Sequence, residues 1–311
     1  MDSELTMRDR IRGVAVGAAA GDALGMPLEF KSKRPHDQLV REMLPGRLPA
    51  GTFTDDTEMA LALADSLLAQ RPLDPADLAR RFVAWYAAEP DDVGSHTAAV
   101  LTRIAAGEPW EQAVATVHRL RSLTTGNGSV MRCWPVALAH WNSLDWLLTD
   151  SRKQSQVTHA DPECVAGSAF VNDAIYHLLH GSPPAQAVAA ALQDAQVPAV
   201  LRAVIEAAPQ RDRQALENSG WVRHTVESAV WGLLTTHSFE DAVVEVVNLG
   251  KDTDTAGAVV GALAGAAYGF EAIPARWRAL LNGESPLGSG QTWQADDLAA
   301  LAERLAQGNG A

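Results

Sequence analysis

Cysteine is scarce in this sequence, with only Cys133 and Cys164 among 311 residues. The two lack the paired spacing of thiolate zinc ligands, so we expect neither a disulfide framework nor a cysteine-bound metal. So few cysteines suit a reducing compartment, and the predicted location is cytoplasmic.

Long apolar runs are also missing. The most apolar stretch, residues 256–270, is shorter than the roughly 18 residues that a membrane-spanning helix needs. The first residues contain no basic segment followed by an apolar core, which is the mark of a secretory signal. We therefore expect no membrane insertion and no export, and we interpret residues 256–270 as a buried core helix.

Positive charge is the third shortage. The chain has 25 Lys and Arg against 38 Asp and Glu, which gives a formal net charge of -13. A long-range negative field opposes binding to nucleic acids and anionic membranes, so it argues against both as general partners. A small anionic substrate would therefore need a local device to hold it.

Helical patterning fills most of the chain, and 47% of the residues are hydrophobic, enough for a sizeable core. Residues 75–88 place apolar side chains at helical spacing behind Asp74, a suitable cap. Similar helix starts occur at residues 161–163 and 238–241, while strand-like alternation is rare. No linker or tandem repeat divides the chain. We predict an all-α fold, a single domain over residues 1–311 and a monomer.

Glycines recur every four residues in two of the predicted helices. The two series are Gly13, Gly17, Gly21 and Gly25, and Gly257, Gly261, Gly265 and Gly269. Each interior glycine costs a helix about 1 kcal/mol relative to alanine, so the series need a compensating gain. Small residues four apart let helix backbones approach closely, which predicts two central helices packed against each other.

Two acidic motifs near opposite ends of the chain resemble each other. Residues 51–57 read Gly-Thr-Phe-Thr-Asp-Asp-Thr and residues 250–255 read Gly-Lys-Asp-Thr-Asp-Thr, and each runs into an apolar predicted helix. N-capping is the simpler explanation for either motif alone. A cap uses one side chain per helix start, however, so the second acid is surplus, and the surplus occurs twice. If the two entrances meet, their carboxylates repel one another unless cations lie between them, and the motifs therefore predict a metal site.

The candidate ligands are all oxygen donors. They are Glu29, Thr54, Asp55, Asp56, Asp252, Asp254 and Thr255. Oxygen-only ligation favours magnesium or manganese, leaves calcium open and disfavours zinc. One magnesium ion keeps several waters and uses few carboxylates, so this many acids predicts two ions.

Three further regions have both a functional and an ordinary interpretation. Residues 124–132, which include Gly126, Asn127, Gly128 and Ser129, read as a glycine-flanked loop that opens a helix and binds an anion through its amides, or as a plain turn. His159 precedes a helix cap and either contacts a substrate hydroxyl or is an ordinary polar neighbour. Asp92, in residues 91–97, is either a site residue or simply a cap of the following helix.

The order of these motifs resembles the ADP-ribosylglycohydrolase family, which includes the dinitrogenase-reductase-activating glycohydrolases. The resemblance covers about residues 8 to 270, and only the combination is specific. The matching pieces are Gly21-Asp22-Ala23-Leu24-Gly25 with Pro27 and Glu29, Thr54-Asp55-Asp56-Thr57, Asp92-Val93-Gly94, Gly126-Asn127-Gly128-Ser129, Thr158-His159-Ala160-Asp161 and Asp252-Thr253-Asp254-Thr255. It implies a single compact orthogonal multi-helix bundle with a binuclear magnesium or manganese site that releases ADP-ribose from ADP-ribosylated proteins or small molecules.

The resemblance also implies roles. The metal ligands are Thr54, Asp55, Asp56, Asp252, Asp254 and Thr255, joined or gated by Glu29. Asp92 lines the scissile position, Gly126 to Ser129 contact the diphosphate and ribose, and His159 contacts the ribose. The catalytic set is Glu29, Asp55, Asp56, Asp92 and Asp254. Lys251 departs from the small or polar residue expected there, and a cation at that position would pair with a ligand acid or favour a particular substrate.

Alternatives for both the function and the substrate stay open at this point. Clustered aspartates with two magnesium ions also suit a phosphoesterase, and a binding or structural relative would keep the fold without turnover. ADP-ribosyl-arginine is the expected substrate. Serine-linked ADP-ribose, O-acetyl-ADP-ribose, a small guanidine-type acceptor and modified nucleic acid would use the same pocket.

Overall fold

The computed structural model describes residues 5–307, and within that range the chain forms fifteen α-helices joined by short 3-10 turns and loops. The helices are α1 (Met7–Gly25), α2 (Asp55–Ala69), α3 (Pro75–Ala87), α4 (Ser95–Ala105), α5 (Trp110–Leu120), α6 (Trp134–Ala139), α7 (Leu144–Gln156), α8 (Pro162–Leu179), α9 (Pro184–Asp194), α10 (Ala199–Ala207), α11 (Val222–Thr235), α12 (Phe239–Val247), α13 (Thr253–Tyr268), α14 (Ala275–Leu280) and α15 (Ala295–Gln307). The predicted all-α fold is confirmed. The domain boundary, residues 1–311, stays a prediction.

Helix starts follow the local sequence rules. Asp74 accepts a hydrogen bond from the Ala76 amide at the start of α3, and Asp161 accepts one from the Glu163 amide at the start of α8. Ser238 does the same for α12. These caps satisfy backbone donors that the first helical turn leaves unpaired. All three predicted starts are therefore confirmed.

Helices α1 and α13 pack antiparallel at the centre of the bundle, glycine against glycine. A Cβ atom at Gly21 would lie 1.9 Å from the carbonyl oxygen of Gly257, and one at Gly17 would lie 2.4 Å from that of Gly261. The predicted close approach is confirmed. Gly269 is the exception, because α13 ends at Tyr268 and Gly269 leaves the helix with a φ of 85°.

Hydrogen bonds fasten both ends of this helix pair. Arg10 donates to the carbonyl oxygens of Ala266 and Ala267 at the C-terminal end of α13, over 2.6 and 2.8 Å. At the other end Thr253 Oγ1 donates to the Gly25 carbonyl over 2.8 Å. The N-terminus of α13 is thereby held against the C-terminus of α1.

Residues 256–270 were predicted to form a buried core helix, and α13 is buried over nearly its whole length. It lies between α1, α8, α11 and α12, within a continuous hydrophobic core that extends from Ile11 to Leu305. No helix of residues 5–307 is both long and apolar enough to span a bilayer.

A small antiparallel hairpin departs from the all-helical pattern. Strands β1 (Asn282–Glu284) and β2 (Thr292–Gln294) pair with each other between α14 and α15. Gly283 of β1 packs on the Phe53 ring so closely that a Cβ atom would lie 2.3 Å from it. The Phe53 amide also donates to the Asn282 carbonyl over 3.0 Å. The hairpin therefore braces the segment that leads into α2.

Candidate active site with a carboxylate cluster

The entrances of α2 and α13 meet and open into one cavity of about 450 Å3. Thr255 Oγ1 of α13 donates to Asp56 Oδ2 of α2 over 3.4 Å. The predicted site residues that line this cavity are Glu29, Asp55, Asp56, Asp92, Gly126, Asn127, Gly128, His159, Asp252, Asp254 and Thr255. The structure brings the two motifs together, while the roles assigned to them stay predictions.

Capping does not account for the paired acids. Helix α2 begins after Thr54 and α13 begins after Asp252, and neither of these residues caps its helix with its side chain. Asp252 Oδ2 instead accepts a hydrogen bond from Asn127 Nδ2 over 2.9 Å. Asp55 and Asp56 lie inside α2, where they face the cavity.

Asp22 of α1 caps α2 instead, although no sequence pattern predicts it to be a site residue. Its buried carboxylate accepts hydrogen bonds from the amide and hydroxyl groups of both Thr54 and Thr57, at 2.6 to 3.2 Å. The Thr54 hydroxyl hydrogen is directed to Asp22, and its oxygen lies 3.4 Å from Asp56 Oδ2. Asp22 thus fixes the α2 entrance to the central helix pair.

Burial and mutual repulsion dominate the electrostatics of the cavity. Burial raises the pKa of Asp55 and of Asp56 well above the ordinary value, and neighbouring carboxylates raise each further. Burial and then Asp254 raise the pKa of Asp252 to about 7 and that of Glu29 to about 9. Clustered carboxylates behave in this way when no cation compensates them, and a divalent cation would reverse the shift.

The donor set fits divalent cations. Oδ1 of Asp56 is buried and has no hydrogen-bond partner among the residues that the structure describes. An unpaired buried carboxylate oxygen is costly unless a cation or a proton satisfies it. Because the oxygens around it come from carboxylates and from the Thr255 hydroxyl, the set suits hard ions such as magnesium or manganese.

Arg47 is a second residue that the sequence analysis missed. Its guanidinium donates to Glu29, to Asp92 Oδ2 over 2.7 Å and to Asp254 Oδ2 over 3.4 Å. Oxygen atoms of these three acids lie within 4.8 Å of one another. Asp92 is not a cap, since α4 begins after Gly94. Asp92 and Glu29 therefore belong to one edge of the cavity, which accommodates a guanidinium group.

The loop at residues 124–132 meets the cavity, but one detail of its prediction is wrong. It leads into turns and then the short helix α6 instead of opening a helix directly. Ser129 is fully buried and does not line the cavity, and its Oγ accepts hydrogen bonds from Ser155 and Ser168. Within residues 5–307, the amides of Gly128 and Ser129 donate no hydrogen bond. The backbone remains a candidate anion-binding element.

His159 is buried at the wall of the cavity beside Gly128, where a Cβ atom would lie 2.9 Å from the imidazole Cε1. The Thr158 hydroxyl accepts from Arg132 over 2.7 Å and lies 2.8 Å from His159 Nδ1, an arrangement that assigns the ring proton to Nε2. Burial, and then the neighbouring His96, lower the pKa of His159 well below its usual value. His159 is therefore neutral at physiological pH.

Lys251 does not join the carboxylates. Its φ is 62°, and its Nζ pairs with Glu217 on an exposed surface. The expectation that a cation at this position pairs with a ligand acid is wrong, because the side chain pairs with Glu217 and does not line the cavity.

The chain is similar to known ADP-ribosylglycohydrolases in sequence and in structure. A family model described as ADP-ribosylglycohydrolase matches residues 3–311. The ADP-ribosylarginine hydrolase Tri1 of Serratia proteamaculans is 33% identical over 86% of this chain and 74% of its own length. The ADP-ribosyl-[dinitrogen reductase] glycohydrolase of Rhodospirillum rubrum is 32% identical over 89% of this chain and 92% of its own. A solved structure titled an ADP-ribosylglycohydrolase-related protein complex superposes with a TM-score of 0.79 at 35% identity, covering 97% of this chain and 98% of that one.

Proposed function

The chain belongs to the ADP-ribosylglycohydrolase family, and we propose that it is a metal-dependent hydrolase that releases ADP-ribose from ADP-ribosylated arginine. The observation that carries the proposal is that carboxylates from the starts of α2 and α13, which are not explained by helix capping, converge in one cavity. A soluble protein gathers so much like charge at a cost, and catalysis with cations is the common reason for it.

Two divalent cations, magnesium or manganese, fit the oxygen donors of this cluster. Asp55, Asp56, Asp252, Asp254 and Thr255 would hold them, with Thr54 and Glu29 at the margin. When bound, such ions orient ribose hydroxyls and activate water. The unpartnered Oδ1 of Asp56 supports this assignment independently of family membership.

Another part of the cavity lining suits the diphosphate and ribose of ADP-ribose. The unpaired amide of Gly128, a residue that lines the cavity, is a hydrogen-bond donor for phosphate oxygens, and it needs no net positive charge. Neutral His159 offers its Nε2 proton to a ribose hydroxyl. These donors are the local device that an acidic protein needs to bind an anion.

In the proposed reaction, water attacks the anomeric carbon of the ribose while the bond between that carbon and the guanidine nitrogen breaks. The transition state resembles an oxocarbenium ion, which nearby carboxylates stabilise. A carboxylate, Glu29 or one of the aspartates of the cluster, accepts the proton of the water. The guanidine leaves with the bonding electron pair and is protonated, so ADP-ribose and arginine are the products.

An arginine acceptor is favoured by the edge formed by Glu29, Asp92 and Asp254. These three acids hold the guanidinium of Arg47, so the same edge suits the guanidinium of an acceptor arginine. The names of the relatives in Serratia and Rhodospirillum point to the same chemistry. Serine-linked ADP-ribose and O-acetyl-ADP-ribose offer no guanidinium to this edge.

The test is product analysis with magnesium or manganese on a panel of ADP-ribosylated arginine, serine and acetate. We expect ADP-ribose from the arginine conjugate, and phosphate release instead would support the rival phosphoesterase. Asp254→Asn should lower turnover more than about 100-fold and reduce metal retention. Asp91→Asn, on an exposed neighbour of Asp92, is the matched control and should retain both. Full activity and full metal content in Asp254→Asn would refute the assignment.

A further inference from the structure

A second cluster of potential ligands lies outside the acid cavity, between α8 and α9. Asp173 and His177 are one helical turn apart on α8, and Asp194 is the last residue of α9. One ligand atom from each of the three lies within 4.8 Å of the other two. None of the three lines the acid cavity, and nothing in the proposed hydrolysis uses them.

Distances within this cluster match the spacing of ligands around one ion. His177 Nε2 lies 3.3 Å from Asp173 Oδ1 and 3.4 Å from Asp194 Oδ2. Ligands about 2.0–2.1 Å from a tetrahedral ion are about 3.3–3.4 Å apart, whereas a strong charged hydrogen bond is shorter, at about 2.7–2.9 Å. The three groups are thus arranged around a common centre more than they are bonded to one another.

Asp173 supplies an independent reason to expect a ligand. Its side chain is fully buried, and neither carboxylate oxygen has a hydrogen-bond partner within residues 5–307. Arg152, the nearby cation, donates to the Ala195 carbonyl over 3.2 Å instead of to this carboxylate. A buried carboxylate without hydrogen bonds is unfavourable unless it is protonated or bound to an ion.

We propose that Asp173, His177 and Asp194 form a second divalent-cation site, which selects zinc-class ions and ties α8 to α9. One imidazole and two carboxylates differ from the oxygen-only set of the acid cavity, and imidazole favours zinc and its neighbours over magnesium. Two carboxylates also balance the charge of one divalent ion. His177 and Asp194 remain partly exposed, which gives an ion a path to Asp173.

Zinc binding tests the proposal directly. The protein is stripped with a chelator, reloaded with excess magnesium to occupy the oxygen-only cavity, and dialysed against increasing zinc, with bound zinc measured by elemental analysis. We expect the wild type to bind zinc with an affinity that falls at least tenfold in His177→Ala and in Asp194→Asn. Zinc should also raise the melting temperature of the wild type but not of these variants.

His180→Ala is the matched control, since His180 is exposed near the end of the same helix and is not part of the cluster. It should bind zinc as the wild type does. Asp194 is at the surface, so its variant keeps the test valid if changes at α8 impair folding. Equal zinc affinity in wild type, His177→Ala and Asp194→Asn would overturn the proposal, as would zinc binding that is lost only in Asp254→Asn. Either result would mean that these three residues do not form a zinc site.

Discussion

The central helix pair brings two opposite kinds of groups together, one along most of its length and the other at one end. Along most of α1 and α13, uncharged glycine backbones touch with no space for a side chain. At the N-terminal end of α13, the same helices hold Asp22 and Asp254 beside the carboxylates of α2. The contact between the glycines of α1 and α13, here called the glycine ridge, is favourable packing. The carboxylate cluster, in contrast, is destabilised by mutual repulsion. The contrast shows how one rigid contact keeps mutually repelling groups together.

Gly21→Ala should break the ridge and have the largest effect. The added Cβ would lie 1.9 Å from the Gly257 carbonyl oxygen, and backbone cannot move away as a side chain can. We expect a loss of about 3–5 kcal/mol in the free energy of unfolding, measured by urea denaturation. Gly167→Ala in α8 is the control, because its Cβ would meet side-chain methyls and no backbone atom, the nearest being a Val222 methyl at 3.0 Å. Equal stability of the two variants would argue against backbone contact as the constraint.

Asp22→Ala should loosen the attachment of α2, which carries part of the carboxylate cluster, to the central helix pair. It leaves the amides and hydroxyls of Thr54 and Thr57 without their buried acceptor, so we expect a loss of about 3 kcal/mol in stability. Activity should fall with it, because α2 would no longer be fixed. Asp22→Asn keeps one accepting oxygen and should lose less. A fully stable, active alanine variant would show that α2 is positioned by other contacts.

Raising the pH should expose the repulsion of the cluster in metal-free protein. The pKa values of Asp22 and Asp252 are raised from 3.8 to about 7, chiefly by burial. Between these limits the folded chain binds more protons than the unfolded chain, so stability falls as the pH rises from about 4 to about 7. Saturating magnesium should flatten this dependence, as measured by urea denaturation at several pH values. The same slope with and without magnesium would contradict the metal assignment.

Arg47→Gln should have the smallest effect and should depend on metal. The guanidinium is the cation that contacts Glu29, Asp92 and Asp254, so its loss should cost metal-free protein about 1 kcal/mol at this partly exposed position. With saturating magnesium the difference from wild type should shrink. Arg80→Gln, an exposed ion pair with Asp77, is the control and should show no dependence on metal. An unchanged deficit with magnesium would indicate that Arg47 and metal do not share these acids.

Duplicated and periodic patterns are what made the sequence informative. The glycine spacing predicted the α1–α13 contact, and the two surplus acid pairs predicted their convergence, because each pattern needed a partner of the same kind. Asp22 gave no such signal, since it bonds to Thr54, which is 32 residues away in sequence. Arg47 lies in a loop without a motif. Strands β1 and β2 have three residues each, too few to show alternation.

The repeat of the glycines has a consequence for register. Because they recur every four residues, sliding α13 along α1 by four positions would again set glycine against glycine, so the ridge alone does not define one alignment. Such a slip would carry Asp254 about 6 Å along the helix axis, away from Asp56. Hydrogen bonds at the two ends of the pair favour the observed alignment: Arg10 donates to the last carbonyls of α13, and Thr253 donates to the Gly25 carbonyl. These end bonds oppose sliding of α13 along α1, and they thereby help to keep Asp254 beside Asp56 in the carboxylate cluster.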